Sequence, residues 1–230
     1  MTTCLALICD QSRTIFGAAD TQFSLDYTTS NTAEKIQLLD QRWYVLYAGN
    51  VSPCEQALLS LQDQFAEHPH TIAQVRAALI VACQSWPCQM DEDRYLLVAG
   101  FDHRRRPHLL VAYDAVGYPV PSITSHGRRG VAAIGSGAAA AEQYLAHYRC
   151  NRRTPRIEGA YLACAAKFFS EPATGVGVET HVIGLRYDDI AQLPLEVIDG
   201  FRTVYEQQGK LPAFPTAPVG EIGKKYQYFG

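Results

Sequence analysis

The order of predicted elements places this chain in the α+β class, as a four-layer αββα sandwich with two antiparallel sheets face to face beneath outer helices. Three observations carry that reading. Strand signals come as hairpin pairs, helix signals come largely as consecutive pairs, and 230 residues that are 47% hydrophobic and 19% charged suit one large packed domain. A doubly wound parallel sheet would need strand and helix to alternate, and here they do not.

Cys4–Cys9 is an unbroken apolar run, Asp10–Arg13 is a turn, and Thr14–Ala19 returns beside the first strand. A polar stretch, Thr21–Thr32, leads to strand signals at Lys35–Leu39 and at Arg42–Ala48, where Trp43, Val45 and Tyr47 alternate. Ser52 as N-cap, Pro53 at the first helical position and Glu55 at the capping-box position predict a helix, with Leu58, Leu59, Leu61 and Phe65 on its apolar face. A second helix runs from Thr71 to Trp86, with Ile72, Val75, Leu79, Ile80 and Cys83 inward.

Strands follow at Tyr95–Phe101 and His108–Asp114, then a short one at Val131–Ile134. Helices are predicted over Ala138–Tyr148 and Ile157–Phe169, a strand over Gly177–Tyr187 and a helix over Leu195–Gln208. Residues 1–211 form the single domain. Residues 212–230, with proline and glycine but little periodicity, read as an extended C-terminal tail.

Composition excludes several function classes. A net charge of −3 argues against a nucleic-acid partner. The best apolar run, Ala77–Cys83, is about a third of the ~20 residues a membrane span needs, and no signal peptide opens the chain, so no membrane partner is expected. The 7 cysteines are an odd number spread through apolar segments and read as reduced core residues of a cytoplasmic protein. Cys83 and Cys88 lie near His103 and His108 in sequence, but the spacing matches no closed zinc site. No metal and no cofactor are expected.

The chemistry begins at the second residue. Removal of Met1 before a small residue leaves Thr2 with a free α-amine, whose ordinary pKa of about 7.7–8.0 makes it a base beside the hydroxyl it would activate. Such a base works best with a fixed positive charge nearby, and neighbouring strands bring Asp20 and Lys35 toward the Thr2 end. A tetrahedral intermediate needs an oxyanion donor, and the turn Ala48-Gly49-Asn50 offers a backbone N–H.

Thr2-Thr3, Ala18-Ala19-Asp20, Glu34-Lys35 and Ala48-Gly49 before a helix resemble the catalytic β-subunit family of the proteasome, including the bacterial peptidase of the heat-shock locus V type. Gly135-Ser136-Gly137 opening a helix, and Ser170-Glu-Pro-Ala-Thr-Gly175 in place of an Asp-x-x-Ser-Gly motif, extend the likeness to about Asp188. The short leader and long C-terminal segment look closest to the betaproteobacterial proteasome homologues. The resemblance implies an N-terminal nucleophile hydrolase fold, with Thr2 as nucleophile, Asp20 and Lys35 as the pair that tunes it, Gly49 as oxyanion donor and Ser136 near the threonine amine. It maps a second acid to Glu171 and a second hydroxyl to Thr174, where the family has aspartate and serine. It also implies a primary specificity pocket floored by Tyr47, with Thr21, Phe23, Ala33 and Val51 around it, favouring small or medium apolar side chains.

The implied partners are the chain itself, in two stacked rings of six or seven subunits with seven favoured, peptide or unfolded polypeptide substrates, and an ATP-dependent unfoldase. Two rival readings exist. Gly135-Ser-Gly137-Ala-Ala-Ala140 after a strand, with Glu158 about twenty residues on, matches a dinucleotide-binding fingerprint. The other is a ring-forming subunit of the same family that lacks activity.

Overall fold

The computed structural model describes residues 2–25, 28–30, 34–49, 51–66, 71–84, 86, 94–114, 122–208 and 216–226. One sheet takes β1 (Cys4–Cys9), β2 (Thr14–Asp20), β10 (Val131–Ile134), β11 (Thr180–Arg186) and β12 (Asp189–Gln192), in the spatial order β10-β1-β2-β11-β12. The other takes β5 (Ile36–Leu38), β6 (Trp43–Gly49), β7 (Arg94–Phe101), β8 (Pro107–Tyr113) and β9 (Ser122–Ser125), in chain order. A small hairpin, β3 (Phe23–Leu25) with β4 (Thr28–Ser30), stands apart from both. Every ladder in the two sheets is antiparallel.

The helices are α1 (Val51–Phe65), α2 (Ile72–Cys83), α3 (Ala138–His147), α4 (Arg156–Ser170), α5 (Leu195–Gln208) and α6 (Thr216–Tyr226). Strand alternation divides the apolar side chains among three layers of core. In β1, Cys4, Ala6 and Ile8 point between the sheets, where they meet Tyr44, Leu46, Leu97 and Ala99. Leu5 and Leu7 of the same strand point out to the layer of Tyr144, Tyr161, Phe168 and Phe201 from α3, α4 and α5. Val45, Tyr47, Leu96 and Val98 of the second sheet point the opposite way, to Leu58, Leu61 and Leu79 of α1 and α2. Both faces of both sheets are thus covered, which is why the central strands read as continuous apolar runs. The sheets approach closely at Gly17, where an added Cβ would lie 2.7 Å from the Tyr44 ring.

The four-layer α+β arrangement agrees with the sequence expectation, and several details differ from it. Helix α1 begins at Val51, so Pro53 occupies the first turn, where its missing N–H costs nothing. Leu59 is 63% exposed and Ile80 is 37% exposed, so neither belongs to the buried face assigned to it. Thr71 caps α2 in a complete capping box with Gln74. Strands β9 and β12 and the β3–β4 hairpin are additional elements. The C-terminal segment is not extended throughout: α6 forms there, and Val219 is buried against the core under α4 and α5.

The glycine fingerprint reading fails on topology. The strand before Gly135 runs antiparallel to β1, and Glu158 lies in the first turn of α4, not at the end of a parallel strand. Among the described residues no helix is long and apolar enough to cross a membrane.

Candidate active site

Strand polarity brings four predicted residues to one end of the sandwich. Thr2 precedes β1, Asp20 ends β2, Lys35 precedes β5 and Gly49 ends β6. Cys4 pairs with Ala19, which sets Thr2 beside the end of β2. Across the gap between the sheets, the Cys4 thiol reaches the Tyr47 carbonyl at 3.3 Å and so ties the start of β1 to the end of β6.

Three of the four make direct contact. The Thr2 hydroxyl donates to Asp20 Oδ2 at 2.5 Å, and Lys35 Nζ donates to the Thr2 hydroxyl and, at 2.5 Å, to Asp20 Oδ1. Asp20 also accepts from the backbone N–H groups of Thr3 at 2.7 Å and Gln22 at 2.9 Å. Its carboxylate is therefore saturated with donors, as a buried charge must be. Thr2 is 2%, Asp20 1% and Lys35 5% exposed, so the three groups meet at low dielectric, where hydrogen bonds to charged groups are strongest.

The backbone of Thr2 is held from the other side. Its carbonyl accepts from Gly137 N at 3.3 Å and from the Ser136 hydroxyl at 3.4 Å, while Ser136 donates a shorter bond, 2.9 Å, to the Thr174 carbonyl. Ser136 thus lies against the Thr2 backbone. Thr174 is engaged through its backbone oxygen, and its side chain is exposed. The approach is so tight that a Cβ at Gly135 would run into the Thr2 carbonyl, and one at Gly137 into the Thr3 hydroxyl.

Gly49 has a φ of +104°, a conformation that favours glycine, and lies opposite Arg94 in the ladder. Arg94 is fully buried and faces Asp114 at 3.4 Å. Glu171 does not bond to Thr2 among the described residues. Its carboxylate accepts from Lys167 at 2.8 Å and from both terminal nitrogens of Arg202, at 2.7 and 3.0 Å.

The expected pocket residues are placed unevenly. Tyr47 is 4% exposed and faces the helix layer, packed with Cys54 and Leu58. Burial, with the nearby charge of Glu55, pushes its phenol up to about 12. Thr21 is buried and donates to Glu179 at 2.7 Å. Phe23 lies in β3 and Val51 opens α1, while Ala33 lies outside the described residues. Cys4, two residues on from Thr2, carries a thiol beside the same group. Burial raises its thiol to about 12, which leaves almost no thiolate at neutral pH.

In the sequence Thr3 and Ser170 stand out only as neighbours within motifs, and Lys167 and Arg202 belong to no motif. Ser170 donates to the Thr3 hydroxyl at 3.0 Å, and Lys167 lies fully buried near the end of α4. The Lys167–Glu171 spacing of four on a helix was a readable signal. Its surroundings depend on α5, more than twenty residues on. Among the described residues no cluster of His, Cys, Asp and Glu is arranged to hold a metal ion, and Cys88 falls outside them. The chain matches no protein-family model and no curated protein sequence.

Proposed function

We propose that this protein is a threonine-type endopeptidase of the N-terminal nucleophile kind, acting in the form that begins at Thr2. The observation that carries the reading is the Thr2 hydroxyl held between Lys35 and Asp20 at the start of the first strand. A buried lysine and aspartate around a strand-end threonine have an electrostatic use at a nucleophile, because the ammonium stabilises the oxygen as it loses its proton.

In this reading the Thr2 oxygen attacks the substrate carbonyl carbon and its proton passes to the freed α-amine. The tetrahedral oxyanion takes a hydrogen bond from the Gly49 backbone N–H. Collapse breaks the C–N bond, the leaving amine takes the proton from the α-amine, and an ester to Thr2 remains. Water, deprotonated by the same amine, then attacks the ester carbonyl and releases Thr2 with its hydroxyl restored. Ser136 steadies the Thr2 backbone throughout, and Tyr47 floors the pocket for the residue before the scissile bond.

The working form is two stacked homo-oligomeric rings in the cytoplasm, six or seven subunits each with seven favoured, fed with unfolded polypeptide by an ATP-dependent unfoldase. The decisive experiment is intact-mass analysis of the purified protein before and after incubation with a peptide epoxyketone. That warhead closes its ring only on a hydroxyl with an adjacent free amine. The expected result is a mass beginning at Thr2 and one adduct on that residue. Retention of Met1 in material that still cleaves peptides would sink the proposal.

A further inference from the structure

Behind the Thr2 site lies a charged cluster that the mechanism above does not use. Lys167 sits in α4 with its side chain 0% exposed, and its ammonium donates to Glu171 Oε1 at 2.8 Å and to the Gly177 carbonyl at 2.5 Å. Arg202 of α5 grips the same carboxylate with two bonds, donates to the Val178 carbonyl at 2.7 Å and lies 4.0 Å over the Phe168 ring. The segment from Glu171 to Val178 is therefore pinned at both ends by two cations. Its middle presents the Thr174 carbonyl to Ser136, which touches the Thr2 backbone.

A fully buried lysine is costly, because its desolvation is repaid only by well-placed partners. A methionine or leucine in that helix position would pack without the penalty. Lys167 also faces inward: its charge is felt at Asp20 as well as at Glu171. Burial holds its ammonium below the usual lysine range, and Glu171 and Asp20 oppose that effect.

We propose that Lys167, anchored by Glu171 and Arg202, is a positioning residue of the Thr2 site that fixes the 171–178 segment against Ser136 and sets a second positive charge behind Asp20. This inference rests on the reading of Thr2 as nucleophile. Two effects follow from it, and they are separable. The clamp fixes geometry, and a displacement of about 1 Å at a reacting group costs up to ~10²-fold in rate. The charge disfavours protonation of the groups around Thr2. Of those groups, Asp20 at the end of β2 sees Lys35 from the start of β5, Cys4 from β1 and Lys167 from α4. Lys167 in turn sees Glu171, Arg202 and, on its own helix, Cys164.

The test compares full-length wild type, Lys167→Met and Arg202→Met in steady-state peptide hydrolysis from pH 5 to 9. Epoxyketone labelling of Thr2 and thermal melting run in parallel. Lys167→Met is expected to lower kcat by roughly 10–100-fold at a KM within twofold of wild type, and to move the acid limb of the kcat profile to higher pH. Arg202→Met, which loosens the clamp but leaves the Lys167 charge, should lower kcat without moving that limb. Should Lys167→Met fail to fold, the neutral Lys167→Gln, which keeps a donor for the Gly177 carbonyl, carries the same readouts. A folded, neutral variant at position 167 with wild-type kcat and an unmoved acid limb overturns the inference. A wild-type protein that neither cleaves peptides nor takes the epoxyketone overturns the Thr2 reading instead.

Discussion

Lys35 Nζ donates to both the Thr2 hydroxyl and Asp20 Oδ1, so one buried ammonium links the start of the first strand to the end of the second from the opposite sheet. Replacing Lys35 with alanine should lower peptide hydrolysis by roughly 10²–10⁴-fold. It also leaves a 1%-exposed carboxylate without its ion partner, which costs on the order of 3–5 kcal/mol of stability. The backbone donors of Thr3 and Gln22 remain on Asp20, so the chain should still fold. Turnover together with a melting curve checks both halves. Near-normal kcat in Lys35→Ala would remove the pair from the mechanism.

Asp20→Asn keeps the shape of the carboxylate and removes its charge. Lys35 then loses its counter-charge at 2.5 Å, and hydrolysis should fall by a similar factor with little change in KM. A rise in KM at constant kcat would mean that Asp20 binds substrate and does not tune the nucleophile.

Tyr47 fills space under the start of α1, and its truncation to alanine should open the proposed pocket. Acceptance of Phe, Tyr and Trp immediately before the scissile bond should rise, since each methylene there is worth about 1–3 kcal/mol in discrimination. The lost packing against Cys54 and Leu58 costs about 3–5 kcal/mol, which a melting curve reports separately. A mixed peptide library supplies the check. Strong wild-type preference for those aromatic residues contradicts the assignment.

Acid stability should depend on Asp102 in the turn between β7 and β8. Burial raises its carboxyl, but hydrogen bonds from the Arg106 and Arg104 backbone and from His108 outweigh that and leave it below the ordinary aspartate value. A depressed folded value means that the stabilisation is present above about pH 4 and disappears as pH falls through the folded value. Asp102→Asn should therefore melt lower than wild type at pH 7, with the gap closing at acidic pH. An equal gap across pH 3–7 rules out this linkage.

The apolar strands were legible because burial on both faces leaves no polar interruption: Cys4–Cys9 and Trp43–Ala48 could be placed within a residue or so. The strand β9, Ser122–Ser125, was hidden because its hydroxyl-rich sequence resembles loop composition. Helix α6 was hidden by Pro218, Gly220 and Gly223, which break periodicity yet are tolerated where Val219 gains burial. At the site, strand order was enough to draw Thr2, Asp20 and Lys35 together. The partners of Glu171 were not readable, because Arg202 is 31 residues away and its approach depends on how α5 lies over α4.

The absence of side chains at Gly135 and Gly137 separates where the second residue stands from what it is. Its main chain is seated by the bare backbone of Gly135, which also lies against its methyl, and by hydrogen bonds from Gly137 N and Ser136 to its carbonyl, neither of which involves its hydroxyl. Serine gives up only the methyl packed against Gly135, and Thr2→Ser should keep the same main-chain seat with its oxygen within reach of Lys35. An alanine at 135, whose Cβ would fall on the Thr2 carbonyl, evicts the main chain from that seat whatever residue it bears, so the position tolerates a change of its own side chain better than the addition of one carbon beside it.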